Sequence, residues 1–448
     1  MQATPSQASE AMPAAAVSAP PQERWAWLRA LFADETARRE PTIVFISQVY
    51  VPDPAAVGQY MHQAAAAMAR RGYRAIALAA DSGYEDPSQR YPRYELLDGV
   101  HVVRLPWSSF GKNNLRERLL GGSIFTSEAS LLASALPRVD HVVVSTNPPM
   151  VGAAGLALAL ARGSQLSVWV MDINPDQIVA TGRMSASSLP VRSFDWLNRH
   201  TLSRAQHVIT LDAFMAERLS GKSGLCPTPE VLPPWPVLSI GQLDPHAGQQ
   251  FRAEHGLTDK RVVMYSGNLS PLHPVATVLE AARALQDETR LVFVFIGGGS
   301  ARESIAEYAR EHSLRNVRML PYQPLPRLEQ SLSAADVHLV SMGESMVGIV
   351  HPSKIYSAMA VGRPILALGP RNSHIADLVL DHQIGWHVEH TAISAAVATL
   401  RQIANADASE LSRLGARAHA VISKEFDRSS LIDRFCGILE GPAERSAG

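Results

Sequence analysis

Asp172 and Asp176 flank Pro175 in VWVMDINPDQI, just past an apolar run. Carboxylates at the end of a buried strand can accept a hydroxyl proton or bind sugar hydroxyls. They can equally cap the helix that follows. A site role is expected for Asp172; for Asp176 capping weighs at least as much. Lys354 is the most informative cation. It stands in ESMVGIVHPSKIYSAMAVGRPILALG, where Pro352 suits the first turn of a helix and Ser353 or His351 can cap it. A lysine there opposes the partial positive charge of the helix start. The placement makes sense if an anion takes the ammonium and the backbone N–H groups together, as a diphosphate would. The alternative is a lysine that points to solvent.

Three glycine turns accompany these residues. YSGNLSPLHP holds Gly267, Asn268 and the loop residue His273, and IGGGSARES holds Gly297, Gly298 and Gly299. Bare backbone of this kind can lie against a ligand. SQVYVPDPAAVGQY places Gly58 at the opening of a helix, which fits an anion or an ordinary strand-to-helix turn.

Strands must position these turns. Apolar β-branched runs at 42–47, 74–80, 100–105, 141–145, 166–171 and 207–211 alternate with helical stretches. A second series follows at 261–266, 290–297, 316–320, 336–341 and 364–369. Strands apolar on both faces and separated by helices predict parallel sheets covered on both sides. The fold class expected is α/β, with two doubly wound Rossmann-like domains facing across a cleft. Ligands in such domains lie beyond the carboxyl ends of the strands. The proline-rich segment between the series predicts a hinge near 234–250.

The chain has 448 residues, too many for one ordinary core, and 46% are apolar against 19% charged, a globular balance. Its 41 Lys and Arg against 42 Asp and Glu argue against nucleic acid as a partner. Its two cysteines, Cys226 and Cys436, are far apart and read as structural in a reducing compartment. No CxxC, HExxH or strand-end Asp-x-Asp pattern appears, so no metal is expected. Residues 1–40 read as an extension, disordered at first and then helical around Trp25, with no secretory signal. That helix can dock on the body of the protein or on a membrane or partner. Residues 107–125 mix Trp107, Phe110 and Phe125 with Lys112, Arg116 and Arg118. They fit either a core helix with a charged outer face or a peripheral contact with an anionic bilayer.

Together the motifs resemble a family-4-type retaining glycosyltransferase with the GT-B fold, of the bacterial surface-polysaccharide branch (colanic-acid and O-antigen type). The resemblance covers residues 41–440. It rests on VYVPDPAAVGQY with ARRGY, STNPPMVGAAGLALALARG, VWVMDINPDQIVATG, VMYSGNL, FVFIGGGSARESI, VRMLPYQPLPRLEQSLSAADVHLV and HPSKIYSAMAVGRPILA. It implies an acceptor-binding domain at 41–235, completed by a C-terminal helix at 424–440, and a nucleotide-sugar-binding domain at 250–423. Gly297–Gly299 and Tyr322 would meet the nucleoside. Gly267, Asn268, Ser353 and Lys354 would hold the diphosphate, with His273 and Ser357 beside them. Gly58, Asp172 and Asp176 would lie on the acceptor side, and Asp172 and Lys354 are the catalytic candidates.

The implied reaction moves a sugar from a nucleotide-diphosphate sugar, a co-substrate and not a cofactor, to a glycan or lipid-linked acceptor. It would retain configuration, need no metal, and take place in the cytoplasm or at the inner face of the plasma membrane. Two positions depart from the family pattern. The loop GNLSPLHP lacks the Arg and Lys common there, and Ser357 stands where a second glutamate is usual. A non-catalytic sugar-nucleotide-binding or scaffold relative and a nucleotide-sugar epimerase remain alternatives. A nicotinamide dehydrogenase does not fit, because neither first strand ends in GxGxxG.

Overall fold

The structure is a computed structural model that describes residues 40–441, apart from 54, 84–87, 107–114, 137, 223–226, 238–243 and 245. At 115–119 and 134 it describes the backbone only. The N-terminal extension before residue 40, residues 107–114 of the amphipathic segment, Cys226 and much of the expected hinge therefore lie outside the described residues.

Among the described residues, eight strands form the first sheet: β1 (Thr42–Ile46), β2 (Arg74–Ala80), β3 (Tyr94–Leu97), β4 (Val100–Leu105), β5 (His141–Val144), β6 (Gln165–Val170), β7 (His207–Thr210) and β8 (Glu230–Val231). Their order is β3-β4-β2-β1-β5-β6-β7-β8. Six more form the second: β9 (Arg261–Ser266), β10 (Leu291–Ile296), β11 (Val317–Leu320), β12 (Val337–Ser341), β13 (Ile365–Leu368) and β14 (Gly385–Val388). Their order is β11-β10-β9-β12-β13-β14. Every pairing is parallel except β3 with β4. β1, β2, β10 and β12 are buried along their whole length. A parallel sheet with helices on both faces demands this, and it is why these runs carry Val, Ile, Leu and Phe without alternation.

Three strands carried no such signal. β3 is a half-exposed edge strand, β8 has two residues, and β14 reads GWHV with a half-buried pattern. Gly385 admits β14 to the sheet, since a Cβ there would fall 1.8 Å from the Ile365 carbonyl oxygen.

The two halves share one core. Phe45, Trp169 and Trp235 of the first belong to the same buried cluster as Met346, Ile349 and Tyr356 of the second. A backbone bridge joins them: Asp172 pairs antiparallel with Val350, and the Ile173 N–H donates to the Ile349 carbonyl at 2.8 Å. The last helix, Arg428–Glu440, lies on the helix Ala56–Arg70 of the first half, with Phe435 4.5 Å from the Trp169 ring centre. Arg71 ties that contact at its rim through Asp433 and Glu440.

Candidate active site

The carboxyl ends of β9 and β10 form two interlocked glycine turns. Gly267, Gly297 and Gly299 have φ of 135°, 141° and 116°, a region that side chains resist. The turns also touch. A Cβ on Gly297 would lie 2.0 Å from the Gly267 carbonyl oxygen, and one on Gly299 would lie 2.3 Å from Asn268 Oδ1. Gly298 lies under the Tyr322 ring, where a Cβ would stand 3.0 Å from the nearest ring carbon. Tyr322 is itself 46% exposed.

The Gly267 N–H is engaged within the fold. It donates to the Ile296 carbonyl at 2.9 Å, and the Leu269 N–H donates to Gly298 at 2.7 Å. Gly267 instead provides room: a Cβ there would stand 3.2 Å from Lys354 Cε.

Lys354 begins the helix Lys354–Ala360 and turns back over β9. Its Nζ donates to the Tyr265 hydroxyl at 3.0 Å and lies 4.7 Å from the ring centre. The Tyr265 hydroxyl in turn donates to the Asn268 carbonyl at 2.8 Å. Burial lowers the Lys354 ammonium from 10.5 to about 7, because a low-dielectric setting disfavours the charged form. His273 is close enough to feel that charge. Burial and then Lys354 hold its pKa well below the ordinary value, against a hydrogen bond to the Ser341 carbonyl at 2.8 Å.

The start of this helix differs from expectation in two ways. Neither Ser353 nor His351 caps it. Ser353 makes no capping bond, and its side chain meets the Tyr60 hydroxyl of the first half. His351 Nδ1 is 2.7 Å from Asp212 Oδ2. The backbone N–H groups of Ser353, Ile355 and Tyr356 are also engaged within the turn, at 2.8, 3.3 and 3.2 Å. The positive charge available here is therefore chiefly the Lys354 ammonium. Ser357 is half-buried one turn further on.

Asp172 of the first half meets the segment that leads to Lys354 through its backbone. Its bridge to Val350 sets it four residues from Lys354 across the junction. The Thr146 hydroxyl holds this strand end by accepting from the Met171 and Asp172 N–H groups at 3.1 and 3.0 Å. Asp176 is not gathered with it. Its carboxylate pairs with Arg218 at 3.1 Å and with Lys222, which also binds Asp195. Gly58 serves close packing: a Cβ would stand 3.0 Å from the Tyr50 backbone.

Sequence reasoning passed over Tyr265, Thr146 and Arg302. Arg302 Nε donates to the Gly297 carbonyl at 3.2 Å, which puts a cation beside the glycine turn. Its signal was its place three residues after the triple glycine. Nothing in the sequence alone directs Tyr265 toward Lys354.

Residues 55–235 match the model of the glycosyl transferase 4-like domain, and residues 247–420 match glycosyl transferases group 1. A probable glycosyltransferase of Pseudomonas aeruginosa, WbjE, is 26% identical over 312 residues, 69% of this chain and 76% of its own. The putative colanic acid biosynthesis glycosyl transferase WcaI of Escherichia coli K12 is 24% identical over 405 residues, 88% of this chain and 98% of its own. Among solved structures, Anabaena HepE in complex with UDP and glucose superposes with a TM-score of 0.67 at 15% identity, covering 90% of this chain and all of that one. The epimerase and non-catalytic alternatives give way to these matches. With its two facing parallel sheets, the chain belongs to the family-4 GT-B glycosyltransferases of the surface-polysaccharide type and is an enzyme of that family.

Proposed function

We propose that the protein transfers a hexosyl group from a nucleotide-diphosphate sugar to a glycan or lipid-linked acceptor during assembly of a bacterial surface glycan. It does so with retention of configuration and without a divalent metal, in the cytoplasm. The observation that carries this reading is Lys354, a half-buried ammonium laid over Tyr265 beside the Gly267 and Gly297 turns. A lysine held there is strained toward neutrality until an anion arrives. The diphosphate of a donor is such an anion, and the partly exposed Tyr322 ring over Gly298 suits its base.

Breaking the bond between the anomeric carbon and the phosphate builds negative charge on the leaving diphosphate. Lys354 opposes that charge where it develops, which is electrostatic catalysis without a metal. Attack from the face of the leaving group lets the phosphate accept the acceptor's proton, and retention follows. Asp172, at the junction with Val350, orients the acceptor hydroxyl.

Peripheral contact with the membrane is part of the same proposal. Leu120, Leu131, Leu160, Leu189 and Trp196 are all more than half exposed on helices of the first half. Among the described residues no helix is long and apolar enough to cross a membrane.

A thermal-shift screen of nucleoside diphosphates and their sugars tests the donor class, since a ligand that binds the native state raises apparent stability. The expected hits are followed by transfer assays with and without EDTA. No stabilisation by any nucleotide, or transfer lost in EDTA, would remove the donor or the metal-free part of the proposal.

A further inference from the structure

Asp212, His351, Tyr356 and His374 form an unbroken hydrogen-bonded chain that ends at the half-buried His374. Asp212 follows β7 in the first half; the other three belong to the second. His351 Nδ1 lies 2.7 Å from Asp212 Oδ2, His351 Nε2 lies 3.0 Å from the Tyr356 hydroxyl, and that hydroxyl lies 3.0 Å from His374 Nε2. The side chains of His351 and Asp212 are 0% and 4% exposed, and Tyr356 is 0% exposed.

The chemistry of the donors fixes a direction. Asp212 Oδ1 already accepts the Met215 N–H at 2.8 Å, as the cap of the helix Ala213–Ser220. Burial alone would raise this carboxyl, but the hydrogen bond from His351, with the one from the Met215 N–H, helps hold it below its ordinary value. An ionised carboxylate only accepts, so His351 carries its proton on Nδ1. In the neutral ring Nε2 is then bare and accepts from Tyr356. The Tyr356 oxygen accepts in turn from His374 Nε2–H. Burial pushes the His374 imidazole down to about 3, in keeping with a neutral ring. One carboxylate of the first half thus sets the tautomers of two histidines in the second.

We propose that Asp212 is a positioning residue that acts through this chain. It clamps both flanks of Lys354, at His351 and Tyr356, and so fixes the ammonium against the half that presents Asp172. The proposal rests on the transferase reading, in which Lys354 meets the donor diphosphate. The Ser353 contact with the Tyr60 hydroxyl is a further tie of the same segment to the first half.

The test uses the full chain with 15N-labelled histidine rings, the two signals being assigned through His351→Gln and His374→Gln. The expected wild-type pattern is His351 protonated at Nδ1 and His374 at Nε2. In Asp212→Asn the amide oxygen keeps the cap and the NH2 faces His351, so both tautomers should reverse together. In Asp212→Asn/Tyr356→Phe, His374 should no longer follow. Amide exchange of Ser353–Tyr356 should quicken about tenfold in Asp212→Asn. With a nucleotide sugar found by the screen, kcat should fall about tenfold while the donor dissociation constant stays within about twofold.

Unchanged tautomers in Asp212→Asn, or a doubly protonated His351 in the wild type, would overturn the chain. The ligand-type atoms of Asp212, His351 and His374 lie within 4.8 Å of one another. Displacement of both histidine signals by equimolar zinc would therefore replace the chain with a metal centre. Reversed tautomers with unchanged exchange and kcat would overturn the positioning role. A wild type that uses no nucleotide sugar would sink the transferase reading, while tautomers and exchange still decide on the chain.

Discussion

The Lys354 ammonium sits 3.0 Å from the Tyr265 hydroxyl and 4.7 Å from the centre of the same ring. The hydroxyl is fixed by its own bond to the Asn268 carbonyl. A charge aimed in this way needs little reorganisation when an anion arrives, which is the condition for electrostatic catalysis. Lys354→Ala is expected to lower turnover by at least about tenfold, a loss of about 1.4 kcal/mol. Steady-state transfer with the identified donor checks this, and wild-type turnover would remove Lys354 from the chemistry.

The same lysine predicts a pH dependence for binding. Its pKa is about 7, and a diphosphate binds the protonated form. Donor affinity should therefore weaken as pH rises above about 7, approaching tenfold per unit in the share that depends on the charge. His273, held well below its ordinary value, stays neutral throughout and adds no slope. Calorimetric titration with the donor from pH 6 to 9 measures the slope. Lys354→Met should flatten it, and an equally flat wild-type profile would contradict the assignment.

Stability should move the opposite way. The folded pKa of Lys354 lies below its ordinary value of 10.5, so between about 7 and 10.5 the unfolded chain binds the extra proton. Stability from this group then rises with pH across that window, and the burial cost is fully present below it. Lys354→Met should melt higher than wild type at pH 6, with an advantage that shrinks by pH 9. A constant difference in melting temperature would show that the lysine is not desolvated.

How much of this could be read from the sequence depends on whether a signal is local. β1 and β10 were legible because every residue in TIVFI and LVFVFI faces a covered side of the sheet. β14 was not, because GWHV is half-buried and enters the sheet through Gly385, whose meaning lies in the distant Ile365 carbonyl. The same contrast holds at the site. Lys354 was legible as a cation at an unfavourable helix position. Tyr265, which orients it, is 89 residues away in sequence. Asp176 looked like a partner of Asp172 by spacing, yet Arg218 and Lys222 come from another helix and its end to claim it.

Tyr322 allows a test of the base. Its ring covers Gly298 on one face and is 46% exposed. Stacking of a base on an aromatic ring contributes about 1–3 kcal/mol. Tyr322→Ala should weaken nucleoside diphosphate binding by about tenfold or more, and Tyr322→Phe by much less. Equal losses in both variants would assign the effect to the hydroxyl and not to the ring face.

Gly348 tests whether the two halves must approach as closely as they do. It lies on the segment that carries Val350 and His351, with φ of 68°. A Cβ there would stand 2.7 Å from the Phe214 carbonyl oxygen of the first half. Alanine would meet both obstacles: the left-handed backbone costs about 1–2 kcal/mol, and the carbonyl belongs to a helix that cannot retreat without breaking its cap at Asp212. The strain is relieved by easing the 348–353 segment away from the first half. That separates Lys354 from Asp172 but leaves Tyr265, Gly267 and Gly297 where they are. Gly348→Ala should therefore reduce transfer by about tenfold while donor binding changes by less than about threefold, because a small displacement of reacting groups acts on rate before it acts on affinity. Transfer and donor titrations on the same preparation decide it. If both fall together, the segment serves the donor site alone; if neither falls, the junction tolerates a wider gap than the bridge between Asp172 and Val350 implies.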